Sequence, residues 1–385
     1  MQYTSTFRFI LCAFLLMGMG KLSAQDLAFT QFFANKIYLN PAYSGYEYGT
    51  NIYTNYRVQW AGIGGSPSYF TSQAIAASSE ANHSGFSLLA VDRQFGPGPY
   101  RWQKFGAGYA WKTQDCRDGN RYGQKFDFSL GVRTTYNITS LDLNGFTFSS
   151  QYNPIYGLVQ GSSSSLAGVD MLQGSYWDVD AGGLVEFTSA DDNFIRLGIA
   201  ANNLARINPS IGLLNDTIGV RWTVHGSMEL GRKLGLKIPL TISPTFKYEQ
   251  QRSFGVTRGY MYRTFDGGLM AQYSSGSGHE VAFGGMWHFA GLTKPRLDSA
   301  RAVLDLFDGT RQATNGVSMY FAFQQPLKTG TAVRASVSYQ FDYTGLRSNS
   351  AGILEFGLAF KFGHADLVGC RRGKGRNGNV RCANF

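Results

Sequence analysis

The sequence predicts an all-β protein: a transmembrane antiparallel β-barrel of about 14 strands, with long extracellular loops and a short periplasmic C-terminal tail. Three observations point there. Side-chain character alternates with a period of two along most of the chain, the composition is poor in charge and rich in glycine and aromatics, and short connections alternate with long ones. Of the 385 residues, 48 are glycine and 51 are tyrosine or phenylalanine, with a charged fraction of 16%. Ordinary soluble domains carry about 25% charge. With 43% of its residues hydrophobic, the chain has too much apolar surface to stay unfolded in water. No Pro- or Ser-rich linker divides it, so a single domain is expected.

Residues 1–24 read as a secretory signal peptide. Arg8 leads into the apolar run Phe9-Ile10-Leu11-Cys12-Ala13-Phe14-Leu15-Leu16-Met17, and Leu22-Ser23-Ala24 offers a small-residue cleavage site. A lipid-modified Cys12 is disfavoured, because Ile10 and Leu11 precede it where small residues are required. Removing Arg8 and Lys21 lowers the formal charge from +10 to +8, with 33 basic residues against 25 acidic ones. After Gln25 no run of about 18 apolar residues follows, so a membrane crossing would have to be made by strands.

The alternation is regular. Trp177, Val179, Ala181, Gly183, Val185 and Phe187 share one parity, and Asp178, Asp180, Gly182, Leu184 and Glu186 the other. Leu354, Phe356, Leu358, Phe360 and Phe362 alternate with Glu355, Gly357, Ala359 and Lys361, and Lys125 to Arg133 and Val333 to Tyr343 follow the same rule. A β-sandwich with one wet face would also alternate. These stripes, however, have the reach of about ten residues needed to cross a bilayer at a tilt. Aromatics also gather toward strand ends, at Trp60, Trp111, Tyr136, Trp177, Tyr343 and Phe362, as an interfacial girdle requires.

Candidate strands lie near 52–60, 69–77, 85–93, 103–113, 125–136, 177–187, 194–202, 221–231, 237–248, 263–273, 279–288, 316–325, 332–342 and 352–362. With both termini periplasmic, the odd-numbered connections face outward. They include the long ones at 137–176, 203–220, 249–262 and 289–315, whereas 188–193, 232–236, 274–278 and 326–331 are short. The connection at 114–124 is intermediate and fits less well. The chain therefore divides into 1–24, the signal peptide; 25–50, a periplasmic N-terminal segment or plug; 51–362, the barrel; and 363–385, a basic, Cys-containing periplasmic tail.

Residues that would carry chemistry are not found in working arrangements. The histidines at 83, 225, 279, 288 and 364 have no metal-ligand spacing, and there is no His-Glu-x-x-His or Gly-x-Ser-x-Gly run. Gly62 to Gly65 lie in no strand-glycine-helix unit, so they form no phosphate-binding loop. No catalytic residue, cofactor or metal is expected. A lipid-acting enzyme built on His225, His279 or His288 would need a serine within hydrogen-bond reach on the outer surface. In the tail, Arg371, Arg372, Lys374, Arg376 and Arg381 stand against Asp366 alone. They suggest docking to an anionic or protein partner in the periplasm, and no nucleic acid is expected. Cys370 and Cys382 enclose a glycine-bearing stretch of this tail and are the expected disulfide, in preference to either paired with Cys116. Leu297, Ala300, Val303, Leu304 and Phe307 recur at helical spacing after Asp298, which predicts a short amphipathic helix in an outer loop.

Gln31-Phe32-Phe33 is followed by Asn40-Pro41-Ala42-Tyr43-Ser44-Gly45, then by Tyr56-Arg57-Val58-Gln59-Trp60 and Gly64-Gly65-Ser66-Pro67. This run resembles the N-terminal signature of the PorP/SprF family, type IX secretion and gliding-motility outer-membrane proteins of Bacteroidota. A looser likeness continues through Asp92 to Pro97, the strand at Phe126 to Tyr136, the strand at Trp177 to Phe187, Asn203-Leu204 and Asn208-Pro209. The tail and the 289–315 loop have no counterpart in the family pattern. The resemblance implies a non-enzymatic accessory of the secretion machine in the outer membrane, linked to export and surface attachment of cargo such as gliding adhesins. Its partners would be outer-membrane lipid, type IX components, a secreted cargo protein and a periplasmic component.

Two readings of the N-terminal motif stay open. In one, Pro41 and Gly45 turn the chain into the first strand, Tyr43 and Trp60 are interfacial aromatics, and Arg57 is a lumen charge paired with an acid. In the other, residues 25–50 fold back as a plug or present a periplasmic contact, with a short helix around 27–38 ended by Asn40-Pro41. The competing function is a FadL-like transport barrel for small hydrophobic solutes, since a barrel of this size leaves an aqueous lumen unless something fills it.

Overall fold

A computed structural model of the chain describes residues 29–47, 49–60, 70–81, 83–95, 100–113, 125–142, 152–153, 157–158, 171–188, 194–205, 219–230, 240–252, 261–275, 278–293, 310–327, 331–342 and 352–362. The strands in chain order are β1 (Thr50–Gln59), β2 (Phe70–Ala81), β3 (Ser84–Phe95), β4 (Tyr100–Lys112), β5 (Lys125–Asp142), β6 (Tyr152–Asn153), β7 (Gly157–Leu158), β8 (Met171–Thr188), β9 (Phe194–Asn202), β10 (Arg221–Glu229), β11 (Leu240–Arg252), β12 (Met261–Ser274), β13 (Glu280–Thr293), β14 (Thr310–Pro326), β15 (Thr331–Asp342) and β16 (Ile353–Phe362). Strands β6 and β7 form a small hairpin of their own, and the other 14 make one closed barrel in which each strand pairs with its sequence neighbour. The ring closes where β1 meets β16, antiparallel, from Thr50 opposite Phe362 to Gln59 opposite Ile353. All 14 expected strands are present. Closure follows from the solvent: hydrocarbon offers no partner for a backbone N–H or C=O, so every strand must find one on each side.

The two parities of each strand face as the alternation requires. On β8, Trp177 is 62% exposed while Asp180 is fully buried, and on β16 Phe356 is exposed while Glu355 is buried. Leu88, Phe126, Phe283 and Met319 continue the exposed apolar surface around the outside. On a soluble protein such a surface would be an aggregation site; here it is a lipid-facing belt.

Several strands exceed their expected length, and three do so most. β5 runs to Asp142, β8 starts at Met171 and β14 starts at Thr310, so the loop expected at 137–176 is partly sheet. The ladder between β5 and β8 continues unbroken from Tyr136–Trp177 to Asp142–Met171. Above the lipid, water solvates both faces of a strand. The apolar stripe then has no cause to persist although the hydrogen bonds do, so periodicity alone ends the strand too early. The segments 1–28, 61–69, 294–309 and 363–385 lie outside the described residues. The signal peptide, Gly64 and Pro67, the amphipathic helix, the Cys370–Cys382 pair and the basic tail fall within them.

Candidate functional site

The inward-facing surface of the barrel does not enclose an empty bore. Residues 29–47 lie inside it, held by contacts to strands around the whole circumference, from β1, β3 and β5 through β8 and β10 to β14, β15 and β16. None of these residues joins the sheet. The segment makes two short turns. Helix α1 (Lys36–Leu39) is capped by the Asn35 side chain, which accepts from the Tyr38 N–H. Asn40 ends α1 by donating its backbone N–H to the Lys36 carbonyl, 3.0 Å. Its side chain then caps the 3-10 turn Pro41–Tyr43 by accepting from the Ala42 N–H, 2.9 Å. Pro41 suits the first position of that turn because its missing N–H would have had no partner there.

The backbone of Asn40 to Gly45 lies along a row of small residues. Gly85, Ala110, Gly131, Gly182 and Ala200 stand directly opposite one another in register across β3, β4, β5, β8 and β9. A Cβ at Gly85 would lie 2.2 Å from the Ser44 carbonyl oxygen, and one at Gly131 would lie 2.4 Å from the Ala42 nitrogen. These distances are well inside contact, so the wall must lack side chains for the segment to reach it. Gly45 itself adopts φ +62, which suits glycine.

Polar anchors flank the row. Asn40 Nδ2 donates to the carbonyls of Gly183 and Ile199, both at 3.1 Å, and faces His225 Nε2 at 3.1 Å. Ser129 donates to the Ala42 carbonyl at 2.8 Å, Lys112 to the Gly45 carbonyl at 2.8 Å, and Arg133 to the Ile37 carbonyl at 2.5 Å. At the other end of the segment, the Glu355 carboxylate accepts from the backbone N–H groups of Thr30 and Gln31, 2.7 and 3.2 Å. Gln31 also donates to Ser338 and accepts from Ser336. Tyr46 donates to Glu186, and Arg93 to the Tyr38 hydroxyl. Lys36 and Glu47 form an ion pair at 2.9 Å within the segment. Burial pulls the Lys36 ammonium down to about 8 while Glu47 opposes it. Burial also works against the Glu47 carboxylate, but Lys36 and Lys361 beside it outweigh that and hold its carboxyl below the usual range.

Many charges of the barrel wall pair with one another. Asp180 takes Arg133 at 2.7 Å and Lys104 at 3.1 Å, Glu186 takes Arg196 at 2.6 Å, Glu80 takes Lys112 at 2.7 Å, and Asp266 takes Lys247 at 2.8 Å. Buried ions are costly unless paired in this way or hydrogen-bonded as Glu355 is.

The remaining motif residues are placed as follows. Tyr43 is buried in the bore with its ring edge-on to Tyr46 at 5.5 Å, so it is no interfacial aromatic, and burial pushes its hydroxyl up to about 12. Arg57 faces inward opposite Glu355 in the ladder and donates to Thr30 and Gln59. Trp60 follows β1 with φ 60, and its N–H donates to the Gly352 carbonyl. Sequence reasoning missed Glu355 and the glycine row. The available signal was glycine on the polar parity, at 131 and 182.

One constellation resembles a nucleophilic triad. Asp266 Oδ1 lies 2.8 Å from His288 Nδ1, and His288 Nε2 lies 2.8 Å from Ser318 Oγ. The sequence singled out His288 for a lipid-acting site on the outside; the structure turns it inward. Ser318 is 1% exposed, so no acyl group reaches its hydroxyl in this state, and Lys247 shares the Asp266 carboxylate. The three side chains crosslink β12, β13 and β14. Among the described residues no group of three or more His, Cys, Asp or Glu is arranged to hold a metal ion.

A closed barrel with an apolar outer belt and a bore occupied by its own N-terminal segment defines an outer-membrane β-barrel protein. A model of the family described as type IX secretion system membrane protein PorP/SprF matches residues 21–360. The chain belongs to that family, and it is an outer-membrane component associated with type IX secretion. Among solved structures it is similar to a Pseudomonas aeruginosa FadL homologue, at 10% identity and a TM-score of 0.42, covering 86% of this chain and 94% of that one. It is also similar to the TodX monoaromatic hydrocarbon channel deltaS2 mutant, at 12% identity and a TM-score of 0.40, covering 85% and 92%. No curated protein sequence matches the chain.

Proposed function

We propose that this PorP/SprF protein is a non-conducting, non-enzymatic barrel that assists delivery and attachment of a specific cargo, such as a gliding adhesin, at the cell surface. The observation that carries the reading is the occupied bore. Residues 29–47 fill the path a solute would take, and they are fixed there by side chains from both ends of the barrel. A barrel whose interior is committed to its own chain has its loops and termini left for interaction. Longer connections on one side and short turns on the other support a reading with the loops outside and the termini in the periplasm. The basic tail, carrying Arg371, Arg372, Lys374, Arg376 and Arg381, is the periplasmic docking element, closed by a Cys370–Cys382 disulfide.

Two measurements test this. In a planar bilayer the purified full-length protein should give no steady conductance; an ohmic channel would favour the transport barrel instead. Purification from envelopes in mild detergent should recover type IX components together with one secreted protein, and recovery of neither would remove the proposal. If deleting 363–385 leaves cargo display unchanged, the tail has no docking role.

A further inference from the structure

We infer that the small-residue row and its flanking anchors form a peptide-binding site inside the barrel, that residues 29–47 are its resident ligand held in cis, and that a peptide of the same chemistry exchanges with them in trans. This rests on the closed-bore reading and extends it.

The site reads main chain as a peptide receptor does. At least six backbone groups of the segment are met by side chains of the wall. Glu355 accepts from the N–H groups of Thr30 and Gln31, and Ser78 accepts from that of Gly45 at 2.7 Å. Arg133, Ser129 and Lys112 donate to the carbonyls of Ile37, Ala42 and Gly45. A segment outside any ladder must have its buried backbone groups satisfied in this way, and here the wall supplies the partners. The glycines of the row give the groove its depth, and Asn40, Pro41 and Gly45 are the residues that fit it.

The strand ladder is complete without the segment. It closes from β16 to β1 without any residue before Thr50. Most wall charges pair with one another rather than with the segment, as Asp180 does with Arg133 and Lys104 and Asp266 with Lys247. Departure of the segment therefore leaves those ions paired; Glu355 loses the Thr30 and Gln31 donors and keeps the Asn55 amide at 3.2 Å. The ligand class that fits is an extended, turn-forming peptide of Asn-Pro-small-aromatic-Ser-Gly type.

The test uses the folded full-length chain with a protease site inserted after Glu47, cut once the protein is in detergent. A labelled synthetic peptide of residues 25–47 is then added in excess. The label should enter the nicked protein and displace the resident segment, and an Asn40→Ala peptide, which loses a cap and two donated bonds, should compete at least about tenfold more weakly. Ser44 Oγ and Ser87 Oγ are 2.7 Å apart, so the S44C/S87C pair provides a lock. Oxidised, it should block uptake; reduced, it should restore it. The inference fails if the resident segment stays fully bound under excess peptide in the reduced protein, or if uptake is the same with the lock closed. A barrel lacking 25–47 that keeps its heat-modifiable band but binds no peptide would overturn it as well. None of these failures would open the uncut full-length bore to ions, so the closed-bore reading is tested separately.

Discussion

The side chain of Asn40 occupies the place where a side chain on residue 182 would stand: a Cβ added at Gly182 would lie 2.0 Å from Asn40 Oδ1. One residue belongs to the N-terminal segment and the other to the inward face of β8. Because β8 presents no side chain there, the Asn40 amide reaches the wall and donates to the Gly183 and Ile199 carbonyls.

Replacing Gly182 by valine should therefore undock the segment while leaving the barrel closed. Overpacking of this kind costs about 1–3 kcal/mol. The heat-modifiable band on a gel should survive, and limited proteolysis should newly cut within 29–47. Protection equal to that of the parent protein would contradict the packing.

Asn40→Asp should be worse than Asn40→Ala. Alanine loses a cap and two donated bonds, about 1–3 kcal/mol. Aspartate loses the same donors and adds a carboxylate facing two carbonyl oxygens. Proteolytic half-lives of residues 29–47 in the two variants give the order.

Asp180→Asn should lower the thermal stability of the barrel itself. The carboxylate is the shared partner of Arg133 and Lys104, both buried, and removing one partner of a buried pair costs about 3–5 kcal/mol. A double-mutant cycle with Arg133→Met should show part of the loss recovered in the pair; strictly additive losses would mean that the two groups are not coupled.

Docking of the segment should weaken on acidification. The Glu47 carboxyl sits below its ordinary value of 4.5: burial alone would raise it, and Lys36 and Lys361 outweigh burial. Its contribution is therefore complete above about pH 4.5 and drains away as the pH falls through the lower, docked value. Lys36, titrating at about 8, stays protonated throughout that window and keeps the pair ionised at neutral pH. Protease protection of 29–47 should fall between pH 5 and pH 3, and Glu47→Gln should flatten the profile.

Ser318 should resist fluorophosphonate. Its hydroxyl bonds His288 as a catalytic serine would, yet it has no accessible face. Labelling above the Ser318→Ala background would reopen an acyl-transfer role.

The strands are legible because lipid-facing and lumen-facing side chains alternate across most of each strand, as at Trp177 and Asp178. Where β5 and β8 continue above the lipid that constraint lapses, and periodicity ends the two strands at 136 and 177 for that reason. The N-terminal motif gave turn residues, Pro41 and Gly45, but nothing local says whether a turn sits at the membrane rim or inside the bore. Tyr43 suits either, since an aromatic ring with a hydroxyl packs equally well at an interface or in a polar interior.

The sequence by itself determined the closed antiparallel barrel, its strand count and which parity meets lipid, because those depend on periodicity and on a solvent that leaves no backbone group unpaired. Only the tertiary structure decided what fills the interior. The contacts that do so join Gln31 to Glu355 and Asn40 to Gly182, pairs more than a hundred residues apart. They exist only once the sheet has curled round on itself and brought β16 beside β1.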